Sequence, residues 1–328
     1  MVLGPGQVIR SDDYHTAGEP FRIVDAGPME GETVLDRRSW AIEHLDDLRR
    51  FLVAEPRGHA GMYGGFVVPA DEGGDLGVVF FHNAGFSTAC GHGTIALATW
   101  AIDTGLVTAR GPSASVVVDV PSGRLPIEAT LADGRVISVR FTNVPAFVTA
   151  TNLEIDTSVG PVAIDVAFGG AFYASLAVDE LPFSVSTEDL EILISVSREI
   201  QAATTGATVA RHSDNRLSGV YGTIFHETAG DDPLHQLNVT VFADGQVDRS
   251  PCGSGTSARL ALLYDAGLIA IGEEFRHDGI AGGRFSARVE EVNPDGVVTS
   301  VEGSAYRHAT TSFYLDSRDP LGGGFLLR

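Results

Sequence analysis

Two rhythms of apolar and polar positions run along the chain. Short runs of alternating or β-branched residues predict strands over residues 21–24, 65–68, 77–81, 115–120, 136–141, 171–178, 236–242 and 297–302. Turn signals, Ala132-Asp133-Gly134, Ala243-Asp244-Gly245 and Pro294-Asp295-Gly296, close several of them as hairpins. A second, helical rhythm places Ile95, Leu97, Ala98, Ala101 and Ile102 on one segment and Leu260, Ala261, Leu263 and Tyr264 on another. Helices are also predicted over 45–53 and over 187–204, the latter with Ser186 or Thr187 as its N-cap. The sum is an α+β fold with antiparallel strands.

The two apolar helical segments begin alike. Cys90-Gly91-His92-Gly93-Thr94-Ile95-Ala96 and Cys252-Gly253-Ser254-Gly255-Thr256-Ser257-Ala258 share the pattern C-G-x-G-T-x-A and hold the only two cysteines. Asp103, Gly105 and Leu106 recur at the same offsets as Asp265, Gly267 and Leu268. Such an echo points to a duplicated fold, two pseudo-symmetric halves with strands wrapped around one central helix each. Each cysteine is expected at a helix N-terminus, with Gly105 and Gly267 ending the helices. A thiol there is acidified by unpaired amides and the helix dipole, and the same amides can hold a carboxylate. The halves are expected over 1–147, with a closing strand from about 308–328 that carries the apolar Gly324-Phe325-Leu326-Leu327, and over 148–307. The interruption Thr142-Asn143-Val144-Pro145 sets that boundary, and an active site is expected in the cleft where the halves meet.

Composition narrows the functions. A chain of 328 residues, 44% hydrophobic, can bury a full core. A formal charge of −21 argues against nucleic acid or an anionic membrane surface as partner. The start, MVLGPGQVIRSDD, lacks the basic flank and apolar run of a signal peptide, and no run reaches transmembrane length, so a cytoplasmic protein is expected. Two cysteines make no disulfide framework, and neither C-x-x-C nor H-E-x-x-H occurs, so free thiols and no metal are expected. All 22 basic residues are arginine. Without lysine, a pyridoxal Schiff base and a G-x-x-x-x-G-K phosphate loop are both excluded.

Several ordered segments carry a resemblance. Asp13-Tyr14-His15-Thr16-Ala17-Gly18-Glu19-Pro20, Glu55-Pro56-Arg57-Gly58-His59, Met62-Tyr63-Gly64, the stretch from Asn83 to Gly93, and Asp248-Arg249-Ser250-Pro251-Cys252-Gly253-Ser254-Gly255 resemble the proline racemase family. That family includes hydroxyproline 2-epimerases and trans-3-hydroxyproline dehydratases. The resemblance spans the chain and implies a diaminopimelate epimerase-like fold, no cofactor, and proline or a hydroxyproline as small-molecule substrate. Folds of this kind commonly pair as homodimers.

Inverting an α-carbon needs a base on one face and an acid on the other. Cys90 and Cys252 fit those roles as thiolate and thiol, and first-turn amides around Gly91, His92, Gly253, Ser254 and Gly255 suit a carboxylate and its developing charge. The resemblance implies that His92 and Asp248 contact the ring amine and that Phe242 walls the ring. Tyr63 stands where the racemases tend to have phenylalanine, and its hydroxyl suits a hydroxylated ring. For His226 two readings stand side by side, a ring contact or a solvated histidine. Family dehydratases typically carry threonine where this chain has Cys90, so a cysteine at both positions favours inversion over dehydration. A silent amino-acid binding protein is a third reading, against which both thiols count.

Overall fold

The computed structural model describes residues 8–206 and 208–327, so the first seven residues and Arg328 of the expected first half lie outside it. The chain divides into two compact units. One contains the residues up to Val139 and returns for those from Ser304 onward, and the other is Arg140–Gly303.

In the first unit, strand Val8–Thr16 lies antiparallel between Ala305–Tyr314 and Glu19–Asp25. Glu19–Asp25 runs parallel to Tyr63–Val68, which forms a hairpin with Leu76–His82. Leu76–His82 meets Ser113–Val120 in parallel, and a hairpin to Gly123–Ala132 follows. The first parallel step is bridged by helices α1 (Val34–His44) and α2 (Asp46–Val53), since parallel neighbours need a crossover rather than a tight turn. Both pack on the strands through Val34, Leu48, Phe51 and Leu52, against Phe66, Phe81 and Phe313. The second step is bridged by α3 (Gly91–Asp103), which packs against strands Val8–Thr16, Glu19–Asp25 and Ala305–Tyr314. It is buried on nearly every side, so its apolar residues run all round rather than in a stripe.

The second unit repeats this order. Phe147–Thr157, Gly160–Phe168 and Phe172–Ala177 form an antiparallel trio, and the third runs parallel to Val220–Thr228. A hairpin leads to His235–Phe242, a parallel step to Phe275–Gly279, and hairpins to Arg284–Asn293 and Gly296–Gly303. Helix α4 (Leu190–Thr204) bridges the first parallel step and α5 (Gly253–Asp265) the second. The duplication predicted from eight matching positions thus extends through the topology of both units. The C-terminal strand Ala305–Tyr314 takes the place in the first unit that Phe147–Thr157 takes in the second.

All eight predicted strands are present, seven within longer elements and the run 171–178 shortened to Phe172–Ala177. The hairpin turns form where expected, with Asp133, Gly134, Ala243 and Gly245 at positive φ. Gly105 and Gly267 follow the helix ends at φ 76° and 69°, the left-handed turn that glycine adopts without penalty.

Four details differ. Each unit contains two parallel pairings beside the antiparallel ones. The units change over at 139/140 and 303/304, because Asn143 N–H and Ala146 N–H bond to the carbonyls of Thr299 and Val297 inside the second unit. Helix α4 starts at Leu190 rather than 187: Ser184 and Ser186 close a polar turn on the Asp189 carboxylate, whose own N–H bonds to the Ser186 hydroxyl. The apolar tail after Gly323 is no strand; only Phe325 forms a bridge, to Glu55, and the closing strand is Ala305–Tyr314. Among the described residues no helix is long and apolar enough to cross a membrane.

Candidate active site

Cys90 is the N-cap residue of α3. Its backbone is extended (φ −158°, ψ 96°), and its thiol accepts the Gly93 N–H at 3.2 Å. This is the contact a serine or aspartate usually makes at a helix start, here made by sulfur. Thr94 ties the turn by donating from its hydroxyl to the Cys90 carbonyl at 2.9 Å. Glycine is required at 93, since a Cβ there would stand 2.3 Å from the Phe21 ring and 2.7 Å from the Cys90 sulfur.

Cys90 is 6% exposed, and its thiol lies 3.4 Å from Nδ1 of His92. The imidazole is buried, with Phe21 and Tyr63 edge-on at ring separations of 5.8 and 5.0 Å, and its backbone carbonyl accepts the Thr16 hydroxyl. Tyr63 is buried too, its hydroxyl bonded to that of Ser87 and its ring beside His82. Cys90, Gly91, His92 and Tyr63 therefore come together around one thiol. Ser87 and Phe21 join them, both missed by the sequence reading, although Ser87 falls in the segment that carried the resemblance.

Cys252 occupies the matching position before α5, with a different backbone. Its φ is +63°, a conformation costly for a residue with a Cβ. The Ser250 hydroxyl accepts its N–H at 3.2 Å, and the Thr256 N–H and hydroxyl both donate to its carbonyl. The thiol, 7% exposed, donates to the Tyr173 hydroxyl at 3.6 Å, and Tyr173 shares a 2.8 Å hydrogen bond with Ser254.

Asp248 is buried nearby, its Oδ1 accepting both the N–H (2.8 Å) and hydroxyl (2.7 Å) of Ser250. Burial pushes its carboxyl up to about 6, against the pull of those Ser250 bonds and of the Cys252 thiol. Burial, with the Asp248 charge adding to it, pushes the Cys252 thiol up to about 12; Tyr173, the Gly255 N–H and Thr240 pull it back. At neutral pH Cys252 is a thiol.

Phe242 lies on strand His235–Phe242, two residues from Thr240 and on the same face. It stacks on Tyr221 at 5.5 Å, which is edge-on to Tyr173. Phe242 thus belongs to the aromatic group around Cys252. His226 is neither solvated nor among the bonded partners of Cys252. It is buried beside Arg259 and His277, and burial holds its imidazole well below the ordinary range. His277 is pushed down to about 3 by burial and by Arg259, and it bonds Thr256 in the first turn of α5. That polar layer beneath α5 had no sequence signal, because its members are scattered from 226 to 277.

Arg57, His59 and His15 fix loops. Arg57 donates to the carbonyls of Phe51 and Gly322, His59 accepts the Gly61 N–H, and His15 accepts that of Gly18.

Comparison with known proteins decides the kinship. The proline racemase family model matches residues 12–326, nearly the whole chain. The chain belongs to that family. It is 42% identical to a trans-3-hydroxy-L-proline dehydratase of Bacillus cereus, over 96% of this chain and 97% of the relative. It is 41% identical, over the same shares, to a 3-hydroxyproline 2-epimerase of Burkholderia multivorans. Among solved structures, a hydroxyproline epimerase from Agrobacterium vitis with bound trans-4-hydroxy-L-proline superposes with a TM-score of 0.92 at 28% identity, covering 98% of this chain and 96% of that one. This proline racemase family chain is thus an enzyme with the diaminopimelate epimerase-like fold.

Proposed function

We propose that this enzyme inverts the α-carbon of a proline-type imino acid, a 3-hydroxyproline before the others, by proton transfer between Cys90 and Cys252 without a cofactor. One observation carries the reading: each unit presents a buried cysteine at the N-terminus of its central helix, and these are the only two cysteines in the chain. The relatives named for 3-hydroxyproline at 41–42% identity support that substrate over the 4-hydroxy compound bound by the 28% neighbour.

The roles follow from the surroundings. Cys252, held as a thiol, is the acid of the resting enzyme. Cys90, which accepts an amide N–H and borders His92, is the base. The Cys90 thiolate takes the α-proton, and the electron pair of the broken C–H bond delocalises into the substrate carboxylate. First-turn amides of α3 and α5 stabilise that charge. Cys252 gives its proton to the opposite face and is left as thiolate, so the next turnover in the reverse direction starts with the roles exchanged. Asp248 holds the ring amine as a cation, with His92 beside it, and the aromatic rings of Tyr63 and Phe242 enclose the ring. Replacing either cysteine with serine is expected to cut inversion at least ~100-fold, the scale of a lost acid–base group. Full activity in both variants would overturn the proposal.

Dehydration of trans-3-hydroxy-L-proline is the second reading, and the 42% identical dehydratase favours it. It needs one base at the α-carbon and loss of the β-hydroxyl as water, giving a cyclic imine. A second cysteine flanking the carbon has no necessary part in that reaction, which places inversion first.

A further inference from the structure

The two cysteines hold duplicated positions in the fold, and their surroundings differ in chemistry. His82 and Phe242 each end a strand at the start of a short hairpin, pairing with Gly85 and Gln246. Across the sheet, His82 pairs with Tyr63 and Phe242 with Gly222. The next strand over brings Phe21, stacked on Tyr63, in the first unit and Tyr173, paired with Gly222, in the second. Phe21 and Tyr173 therefore hold equivalent positions. His92 and Ser254 are equivalent as well, each the second residue of its helix. At the positions where the first unit has Phe21 and His92, the second has two hydroxyls in series from the Cys252 thiol.

We infer that Tyr173, with Ser254 behind it, is a positioning residue that lets Cys252 alternate between thiol and thiolate. The inference rests on the proposed role of Cys252 but is tested apart from turnover. In the thiol form the Cys252 S–H donates to the Tyr173 oxygen, and the Tyr173 O–H donates on to Ser254. Once the thiol has lost its proton, the chain reverses: Ser254 donates to Tyr173, and Tyr173 donates to the thiolate. No proton leaves either hydroxyl; both only rotate. A hydroxyl can do this and an aromatic C–H cannot, so the tyrosine stands beside a thiolate that burial and Asp248 disfavour.

The groups facing that sulfur support the need. Asp248, from the loop before α5, repels a thiolate; Thr240 from strand His235–Phe242 and the Gly255 N–H of α5 favour it; Tyr173, from strand Phe172–Ala177, supplies the remaining donor. Burial holds the Tyr173 phenol well above its ordinary range, with Cys252 and Tyr221 adding to the shift, so it stays a neutral donor. Ser254 is fixed by its helix, and Gly169 lies so close to it that a Cβ there would stand 2.2 Å from the Ser254 carbonyl oxygen.

The test is Tyr173→Phe, which recreates the Phe21 arrangement with little change of volume. Reduced wild type and variant are alkylated with iodoacetamide between pH 7 and 10, and the two cysteines are quantified separately by peptide mapping. Only thiolate reacts, so the Cys252-to-Cys90 labelling ratio is expected to fall about tenfold in the variant, the size of one lost charge-assisted hydrogen bond. Ser254→Ala should shift the ratio the same way by a smaller factor. An unchanged ratio in Tyr173→Phe, or a ratio that falls in Tyr173→Phe but not in Ser254→Ala, would overturn the inference, since lost packing around the ring alone would explain the latter. Because the readout is thiol chemistry, its outcome stands whether the enzyme inverts or dehydrates its substrate.

Discussion

Asp248 makes the clearest prediction at the scale of a residue. Its carboxyl titrates near 6 in the folded chain against 3.8 for an ordinary aspartate, because it is buried. A carboxyl raised on folding binds protons more tightly in the native state, so its ionisation lowers stability as pH rises from about 4 to about 6. Asp248→Asn keeps an oxygen for Ser250 and removes the buried charge. Above pH 6 the variant should be more stable by on the order of 2–3 kcal/mol, the gain vanishing as pH falls toward 4. Thermal denaturation at pH 4 and pH 8 measures it. In the role proposed for Asp248, the same change should lower kcat/KM about 100-fold, since the ring amine would lose its counter-charge. A variant that gains neither stability nor loses activity would show Asp248 to be an ordinary turn residue. Cys90, Cys252 and their helix glycines were legible because the motif is local. Tyr173 was not: 79 residues separate it from Cys252, and only the strand pairing brings them together.

At the scale of elements, the proposed chemistry sits at two helix starts whose glycines are steric requirements. A methyl at Gly93 meets both the Phe21 ring and the Cys90 sulfur, whereas one at Gly255 stands 3.0 Å from the Cys252 sulfur and 3.1 Å from Ile224. Gly93→Ala should therefore displace the Cys90 thiol, with activity down more than about 100-fold and stability down by ~1–3 kcal/mol from overpacking. Gly255→Ala should be milder in both. Steady-state kinetics with a melting curve for each variant would check the order, and equal effects would mean that the helix start yields more than its geometry implies. Periodicity found α3 and α5 readily but not α1, although Thr33 and Asp36 form a capping box. It also passed over strand Gly123–Ala132, whose burial alternates throughout but whose sequence includes Pro126.

For the whole molecule, the repeated C-G-x-G-T-x-A pattern implied two similar halves, and both units do share one strand order. Parallel pairings escaped the sequence reading because alternation specifies a strand's faces, not its neighbours. The change-over points escaped it because the break at Thr142-Asn143-Val144-Pro145 is bonded within the second unit. Why the chain returns to complete the first unit becomes clear only from topology, since Ala305–Tyr314 fills the place that Phe147–Thr157 fills in its counterpart. Family membership establishes an enzyme of the proline racemase family, and the proposal of inversion rests on one buried cysteine at the same helix start in each unit.

Proton NMR of reduced enzyme in deuterium oxide with trans-3-hydroxy-L-proline, and in parallel with L-proline and trans-4-hydroxy-L-proline, tests that claim most directly. Two-thiol inversion predicts loss of the α-proton signal of at least the 3-hydroxy compound together with growth of the epimer carrying deuterium. A cyclic imine with no epimer, or an unchanged α-proton in all three, would contradict it.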